Sequence, residues 1–503
     1  MFDRKLITEY IEKIFHLFWK ENIDNSFLIL NYVICFLYLR YIEDYGIETK
    51  GVGNSLFIES DSTKGWNWKY AKTLKEDDFI ENYNNNIIPF LDTQIVYCYK
   101  VSFFINKIEK VKKTRLVYEL FLLMEEMFLA LEDDNKIPSL PYEIIYEELL
   151  KRYHQANVKD DLIVPSHIAR LMVELLQPVS SDTIYTPILR TGDLLVSAYQ
   201  KILCDILPEQ RIGFDVDGFP YNNALQEDWD KKSLGNIVLD GNELSDENMF
   251  LCIMNFYFHR ITLVQNFIKQ DPLTKDFIFS LYTKIMVAPL VPNSAKEIKN
   301  VDEKLQELIG KKRPAMYLQR CFEQLETCGR LVALMPDSFL SAQDRRITNF
   351  RSRILEEYDL EAVISLPKGV FASYSNIKTS IIVFSKQNPS YDDVWMCELK
   401  NDGYTLNSKR QRNGENPLPK LVANFKQRAV VNDGLMETFL VPKVVVKKHR
   451  SAWTVKFFND YDIPVKTLDD PIRLLSRLKE IEGKIHSELL DLSLMLGDGE
   501  ILG

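Results

Sequence analysis

Two stretches of this chain place residues where a ligand could be handled. The first is Asp182-Thr183-Ile184-Tyr185-Thr186-Pro187-Ile188-Leu189-Arg190-Thr191-Gly192-Asp193, and the second is Lys284-Ile285-Met286-Val287-Ala288-Pro289-Leu290-Val291. Each is a short apolar run that stops at a turn. That is the pattern of a buried parallel strand delivering a loop to the C-terminal edge of an α/β sheet, where such folds bind ligands. Arg190, close to a helix N-terminus, suits an anion. A salt bridge to the nearby Asp193 is the plainer use of the same charge. Metal chemistry finds no support, because the seven cysteines and six histidines are scattered without ligand spacing. Cys321 and Cys328 fall on one predicted helix, and an odd, unpatterned cysteine count favours reduced, buried thiols.

The elements that must position these loops follow from length and periodicity. At 503 residues, with 46% apolar and 27% charged side chains, the chain reads as an ordinary globular protein of two or three domains. Residues 1 to 157 are helical in pattern: Ile7-Tyr10-Ile11-Ile14-Phe15-Phe18 and Leu28-Tyr32-Cys35-Phe36-Leu39 recur at helical spacing, with further helices at 111–131 and 142–153. From 158 to 388 short β-branched runs alternate with helices, predicting a mostly parallel sheet covered on both faces. Its strands are expected at 183–185, 237–239, 284–287, 330–335, 361–365 and 379–384. Residues 389 to 503 read as an extension that ends in a helix over 468–495. Leu474, Leu478, Ile481, Ile485, Leu489 and Leu492 form one apolar stripe along that helix.

The longest apolar run, Phe27 to Leu39, is too short to span a bilayer, and no signal peptide pattern precedes it, so a cytoplasmic location is expected. A net charge of −10 argues against a protein that coats nucleic acid by itself. Local basic grooves remain available at Lys311-Lys312-Arg313, Arg345-Arg346, Lys409-Arg410-Gln411-Arg412 and Lys447-Lys448-His449-Arg450.

Set beside their flanks, the two loops resemble the cofactor and catalytic loops of the adenine-specific DNA methyltransferases, in particular the modification subunit of type I restriction-modification systems. The likeness runs from about residue 20 to the C-terminus and is strongest over 164–385. It implies a helical N-terminal domain, a Rossmann-like seven-stranded methyltransferase domain and a C-terminal helix that packs on a DNA-specificity subunit. It also implies S-adenosylmethionine as cofactor and DNA as partner. Leu239-Asp240-Gly241-Asn242-Glu243 is similar to the family's Gly-Gln-Glu, which would put Glu243 on the cofactor ribose. Asp271-Pro272-Leu273 is similar to the segment that contacts the cofactor adenine.

The departures lie in the same loops. The family's Asp-Pro-(any)-Cys/Met-Gly-(Ser/Thr)-Gly reads Thr186-Pro187-Ile188-Leu189-Arg190-Thr191-Gly192, so the leading carboxylate and one glycine are gone. Of the family's cofactor positions Thr186, Pro187, Gly192, Glu243 and Asp271 remain as candidates. The catalytic Asn-Pro-Pro-(Phe/Tyr) reads Ala288-Pro289-Leu290-Val291, with no acceptor for the adenine amine and no ring to stack on the base. The threonine that opens the helix before the first strand is Val164, which cannot cap it. Asn388-Pro389-Ser390-Tyr391 resembles a displaced catalytic loop but follows the wrong strand and reads as a turn. Three readings stand: a silent methyltransferase fold kept as a DNA- or subunit-binding scaffold, with Lys311, Lys312, Arg313, Leu478, Ile481 and Ile485 as contact residues; an active enzyme with divergent motifs; or a pocket adapted to another nucleotide.

Overall fold

The computed structural model describes residues 4–496 except 52–53, 59–63, 94, 97–98, 101–113, 136–140, 157–163, 208, 210–211, 223–236, 262–263, 291–299, 373–374, 388–390, 415, 450–452 and 460–470. Two units are distinguished, Met1–Val455 and Lys456–Gly503. The Asn388-Pro389-Ser390 segment and Val291 lie outside the described residues.

The first unit is built on one sheet of nine strands. In chain order these are β1 Thr183–Thr186, β2 Val238–Asn242, β3 Val264–Ile268, β4 Tyr282–Val287, β5 Leu325–Pro336, β6 Asp359–Ser365, β7 Thr379–Ser385, β8 Asp393–Leu399 and β9 Met436–Pro442. They lie side by side as β9-β8-β6-β7-β5-β4-β1-β2-β3. From β3 to β5 neighbouring strands are parallel, while β7 runs antiparallel to both β5 and β6. Strands β1 to β7 are thus the expected seven-stranded sheet.

The sheet continues past residue 388: β8 pairs parallel with β6, and β9 closes the edge antiparallel to β8. Residues 393–442, placed by sequence in an extension, therefore share the main sheet. β9 is followed directly by a short helix, Lys443–Lys448. Cys321 and Cys328 do not share a helix: a strand begins at Leu325 between them.

Burial explains why strands β5 and β7 read as continuous apolar runs. Val332, Leu334, Ile381 and Val383 belong to the main buried cluster. Phe384, one residue on from Val383 and so on the opposite face, meets Phe322 with ring centroids 5.1 Å apart.

The helices that matter for the site are α1 Arg4–Lys20, α2 Ser26–Tyr45, α3 Thr114–Asn135, α4 Tyr142–Ala156, α5 Ser166–Leu176, α6 Asp193–Ile206, α7 Asp246–Phe258, α8 Arg313–Gln324, α9 Arg345–Glu357 and α10 Leu418–Gln427. Two short hairpins, Ile47–Gly51 with Asn54–Ile58 and Ile95–Val96 with Tyr99–Lys100, interrupt the otherwise helical N-terminal region. By length and composition α2 could cross a membrane, yet 78% of its most apolar window is buried inside the protein, where it serves as a core helix. The N-terminal helices dock on the sheet domain through α7. Tyr41 packs on Tyr257 at 4.8 Å, and the Tyr146 hydroxyl donates to the Leu251 carbonyl at 2.8 Å.

In the second unit α11, Pro471–Leu496, follows a segment outside the described residues. Leu475, Leu478, Ile481, Ile485 and Leu489 are all exposed on it.

Candidate functional site

Strand β1 ends at Thr186, and six residues later Gly192 starts α6. The turn between them is held by its neighbours rather than left open. The Leu189 N–H donates to the Asn242 carbonyl at the end of β2, at 2.9 Å. The Leu189 side chain lies flat on Gly241, where a Cβ would come within 2.5 Å of Leu189 Cγ. Arg190 sits at φ +50°, a left-handed conformation that favours glycine. Gly192 is at φ +81°, and a Cβ there would press on Cys252 Sγ at 2.7 Å. The Thr186 hydroxyl turns back to the Ile188 carbonyl at 3.2 Å, and Pro187 is buried in the same turn. Asp193 accepts from the Thr191 hydroxyl and, at 3.3 Å, from the Asn255 amide.

Arg190 joins all three ligand loops. Its backbone N–H donates to the Glu243 carboxylate at 2.8 Å, and its guanidinium donates across the cleft to the Leu290 carbonyl at 3.0 Å. The other Glu243 oxygen accepts from the N–H groups of Leu244 and Ser245, both at 2.9 Å. Burial raises the Glu243 carboxyl above its ordinary range, opposed by those three backbone donors. Both carboxylate oxygens are thus engaged within the protein.

In the loop after β4, Ala288 and Leu290 are buried, and Leu290 N–H donates to the Ala288 carbonyl at 2.8 Å across Pro289. That three-residue turn consumes the Ala288 carbonyl, and Arg190 takes the Leu290 carbonyl. No side chain from Ala288 to Leu290 can accept a proton from an amine.

Asp271 is 5% exposed and accepts from Leu273 N–H at 2.9 Å and from the Tyr317 hydroxyl at 3.3 Å. Burial raises its pKa, while those two bonds and the Arg313 charge pull it back down. Arg313, from the first basic cluster, therefore stands near Asp271 at the start of α8, with Lys311 and Lys312 exposed beside it.

The fold brings two basic clusters together: a Cβ on Gly310 would lie 3.2 Å from Arg346 Nη1, so Lys311-Lys312-Arg313 and Arg345-Arg346 adjoin. The third cluster is partly spent internally, since Arg410 pairs with Asp402, which also holds His167 Nε2 at 3.0 Å. Helix α5, which follows Val164, starts at Pro165 without a side-chain cap. Among the described residues no group of His, Cys, Asp or Glu is placed to hold a metal.

Sequence reasoning missed the Arg190 bridge to Leu290, whose partners are a hundred residues apart. It also missed the stack of Tyr185 on Tyr282, with ring centroids 4.5 Å apart. The Tyr282 hydroxyl donates to Asp240 at 3.1 Å.

The family model described as N-6 DNA methylase matches residues 143–443. The methylase subunit of the Escherichia coli type I restriction enzyme EcoEI is 24% identical over 255 residues, which span 50% of this chain and 48% of that protein. The type II restriction enzyme and methyltransferase RM.BcgI of Heyndrickxia coagulans is 24% identical over 250 residues, 49% of this chain and 34% of its own length. The chain thus spans less than half the length of these curated relatives. Among solved structures, the type I restriction-modification methyltransferase subunit from Streptococcus thermophilus superposes with a TM-score of 0.60 at 14% identity, covering 90% of this chain and 98% of that one. A chain from a type I restriction-modification assembly superposes with a TM-score of 0.58 at 18% identity, covering 97% and 98%.

Proposed function

From the premise that this chain belongs to the N-6 DNA methylase family, we infer that it is a modification-subunit-like member whose methyl-transfer site is closed from within and which acts as a binding scaffold. The observation that carries this reading is Arg190, whose one residue engages both the Glu243 carboxylate and the Leu290 carbonyl. S-adenosylmethionine needs bare backbone at that position and a free carboxylate for its ribose. The residues present do not fit it: a guanidinium lies across the cleft, Glu243 is bonded to three N–H groups, and Thr186 offers no charge to the cofactor's ammonium. Ala288 cannot orient an adenine amine, so even a bound cofactor would meet an unpositioned target.

The binding role rests on two surfaces. The adjoining basic clusters around Lys311, Lys312 and Arg313 suit a DNA backbone, which contributes affinity without reading sequence. The exposed stripe of Leu478, Ile481 and Ile485 on α11 suits a partner helix such as a specificity-type subunit would supply. The protein would then serve within a restriction or defence-type assembly, in the cytoplasm with its DNA.

Calorimetric titration of the purified protein with S-adenosylmethionine, with Glu243→Ala as control, tests this reading. No binding at millimolar ligand is expected. Binding that Glu243→Ala abolishes would sink the silent-site reading, and a DNA methylation assay would then decide for an active enzyme.

A further inference from the structure

A second cavity lies beside the loops just described, sharing Asp193 with the end of the first of them. A cavity of about 650 Å³ opens between α1, α4, the start of α5, the first turn of α6 and the loop over residues 402–412. Its wall contains none of Thr186, Glu243, Asp271 or Ala288. The volume falls in the range of small-molecule sites, about 300–1,000 Å³.

The wall is cationic in a chain whose net charge is −10: seven Lys and Arg side chains line it against four carboxylates. The carboxylates are already engaged. Glu147 and Glu148 hold Arg4 at 2.8 and 2.9 Å, Asp193 takes Thr191 and Asn255, and Asp217 accepts from the Tyr404 hydroxyl at 2.7 Å. Three cations form no ion pair among the described residues. Arg170 lies over the Tyr221 ring at 5.8 Å with the Asp215 carboxylate close enough to feel its charge, while Lys409 and Arg412 have no paired carboxylate among the described residues. His154 lies in the same wall, 7% exposed, with neither ring nitrogen hydrogen-bonded.

We propose that this cavity binds a small polyanion carrying two or more phosphate groups, held between the N-terminal helices and the sheet domain. Arginine forks match phosphate oxygens in two-point contacts, and lysine adds a point charge. The wall is drawn from α1 and α4 on one side and from α5, α6 and the 402–412 loop on the other, a concave setting for a molecule of nucleotide size. Because the ligand bridges those elements, its binding raises the unfolding temperature. The proposal does not depend on the state of the methyl-transfer loops.

The test uses the full chain at constant ionic strength, titrated with inorganic triphosphate and with ATP by calorimetry and thermal shift. Saturable binding is expected, at least about tenfold weaker in Arg170→Gln/Arg412→Gln. Lys409→Gln weakens it in the same direction, and Glu243→Ala leaves it unchanged. Equal affinity for the two probes identifies the phosphate chain as what is recognised; tighter ATP binding identifies a nucleotide. Circular dichroism separates lost charge from lost fold, and should Arg170→Gln unfold, the exposed Lys409 and Arg412 carry the test. Failure of both probes to saturate, or affinity indifferent to these substitutions, overturns the proposal. So does binding of duplex DNA at these residues with no triphosphate or ATP competition, which would assign the charges to a nucleic-acid backbone.

Discussion

Strands β5 to β7 and the loops after β1 and β4 belong to one sheet, yet they have followed different rules. In the strands most buried positions hold an apolar residue, with Glu361, Ser365, Thr379, Ser380 and Ser385 the buried exceptions at or near strand ends, because a sheet covered on both faces must fill its layers. In the loops the residues that would serve a ligand are replaced by ones that serve each other: Leu189 covers Gly241, Arg190 reaches Leu290, and Glu243 caps the backbone. The difference separates two kinds of constraint. Packing is imposed by the fold itself, whereas loop chemistry is imposed by whatever the loops must hold.

The strand side of that contrast should produce the largest effects. Ile364→Ala or Ile381→Ala opens a cavity in a layer where both residues are fully buried, and each is expected to cost about 2–5 kcal/mol in urea unfolding. A cost below about 1 kcal/mol would mean that the strands are as relaxed as the loops, and the contrast would fail.

The next effect concerns His154, buried at the edge of the loop region. Burial, aided by the nearby Arg190 charge, pushes its pKa from 6.5 down to about 3. A depressed pKa means that the folded state holds the neutral ring, so its contribution is complete above about 6.5 and is lost as pH falls towards 3. Stability should therefore decline by up to about 1.4 kcal/mol per pH unit in that window. His154→Phe should flatten the decline in thermal unfolding measured from pH 7 to 4. An unchanged slope would place the titrating group elsewhere.

How much of this was legible in the sequence follows the same division. Six strands could be read from β-branched runs because buried parallel strands have few alternatives. β3 escaped, as Val264-Gln265-Asn266-Phe267-Ile268 carries two amides at its centre, and β8 and β9 escaped because they follow the last strand of the seven the resemblance implied. In the site, the departures of Thr186, Arg190 and Ala288 from the resembled motifs were visible as residue types. What filled the space was not, because the bond from Arg190 to Leu290 joins residues that only the pairing of β1 with β4 brings together. The cavity beside α4 had no local signal either, since its wall is drawn from separated segments scattered between Arg4 and Arg412.

Loop substitutions should be mild, and Arg190→Gly sharpens the contrast most directly. Glycine removes the left-handed strain, about 1–2 kcal/mol for an ordinary residue, while the half-exposed guanidinium bond is lost. The two nearly cancel, so unfolding should shift by less than about 1 kcal/mol. The same variant also clears the cleft between the β1 and β4 loops. Combined with Thr186→Asp it should gain measurable affinity for S-adenosylmethionine in a titration where the parent shows none. Strong destabilisation would instead reveal Arg190 as a packing residue in disguise.

The smallest effect on stability belongs to α11. Leu478 is 62% exposed, Ile481 52% and Ile485 53%, so replacing all three by glutamate removes little buried surface. Unfolding of residues 1–455 should move by no more than about 0.5 kcal/mol. The stripe keeps apolar area exposed, as a helix that packed on a partner would. Co-purification of the tagged parent and the triple variant with a specificity-type subunit therefore gives the largest functional change from the smallest structural one. Equal recovery of the subunit by both would remove α11 from the interface and leave the basic clusters as the only surface argued for a partner.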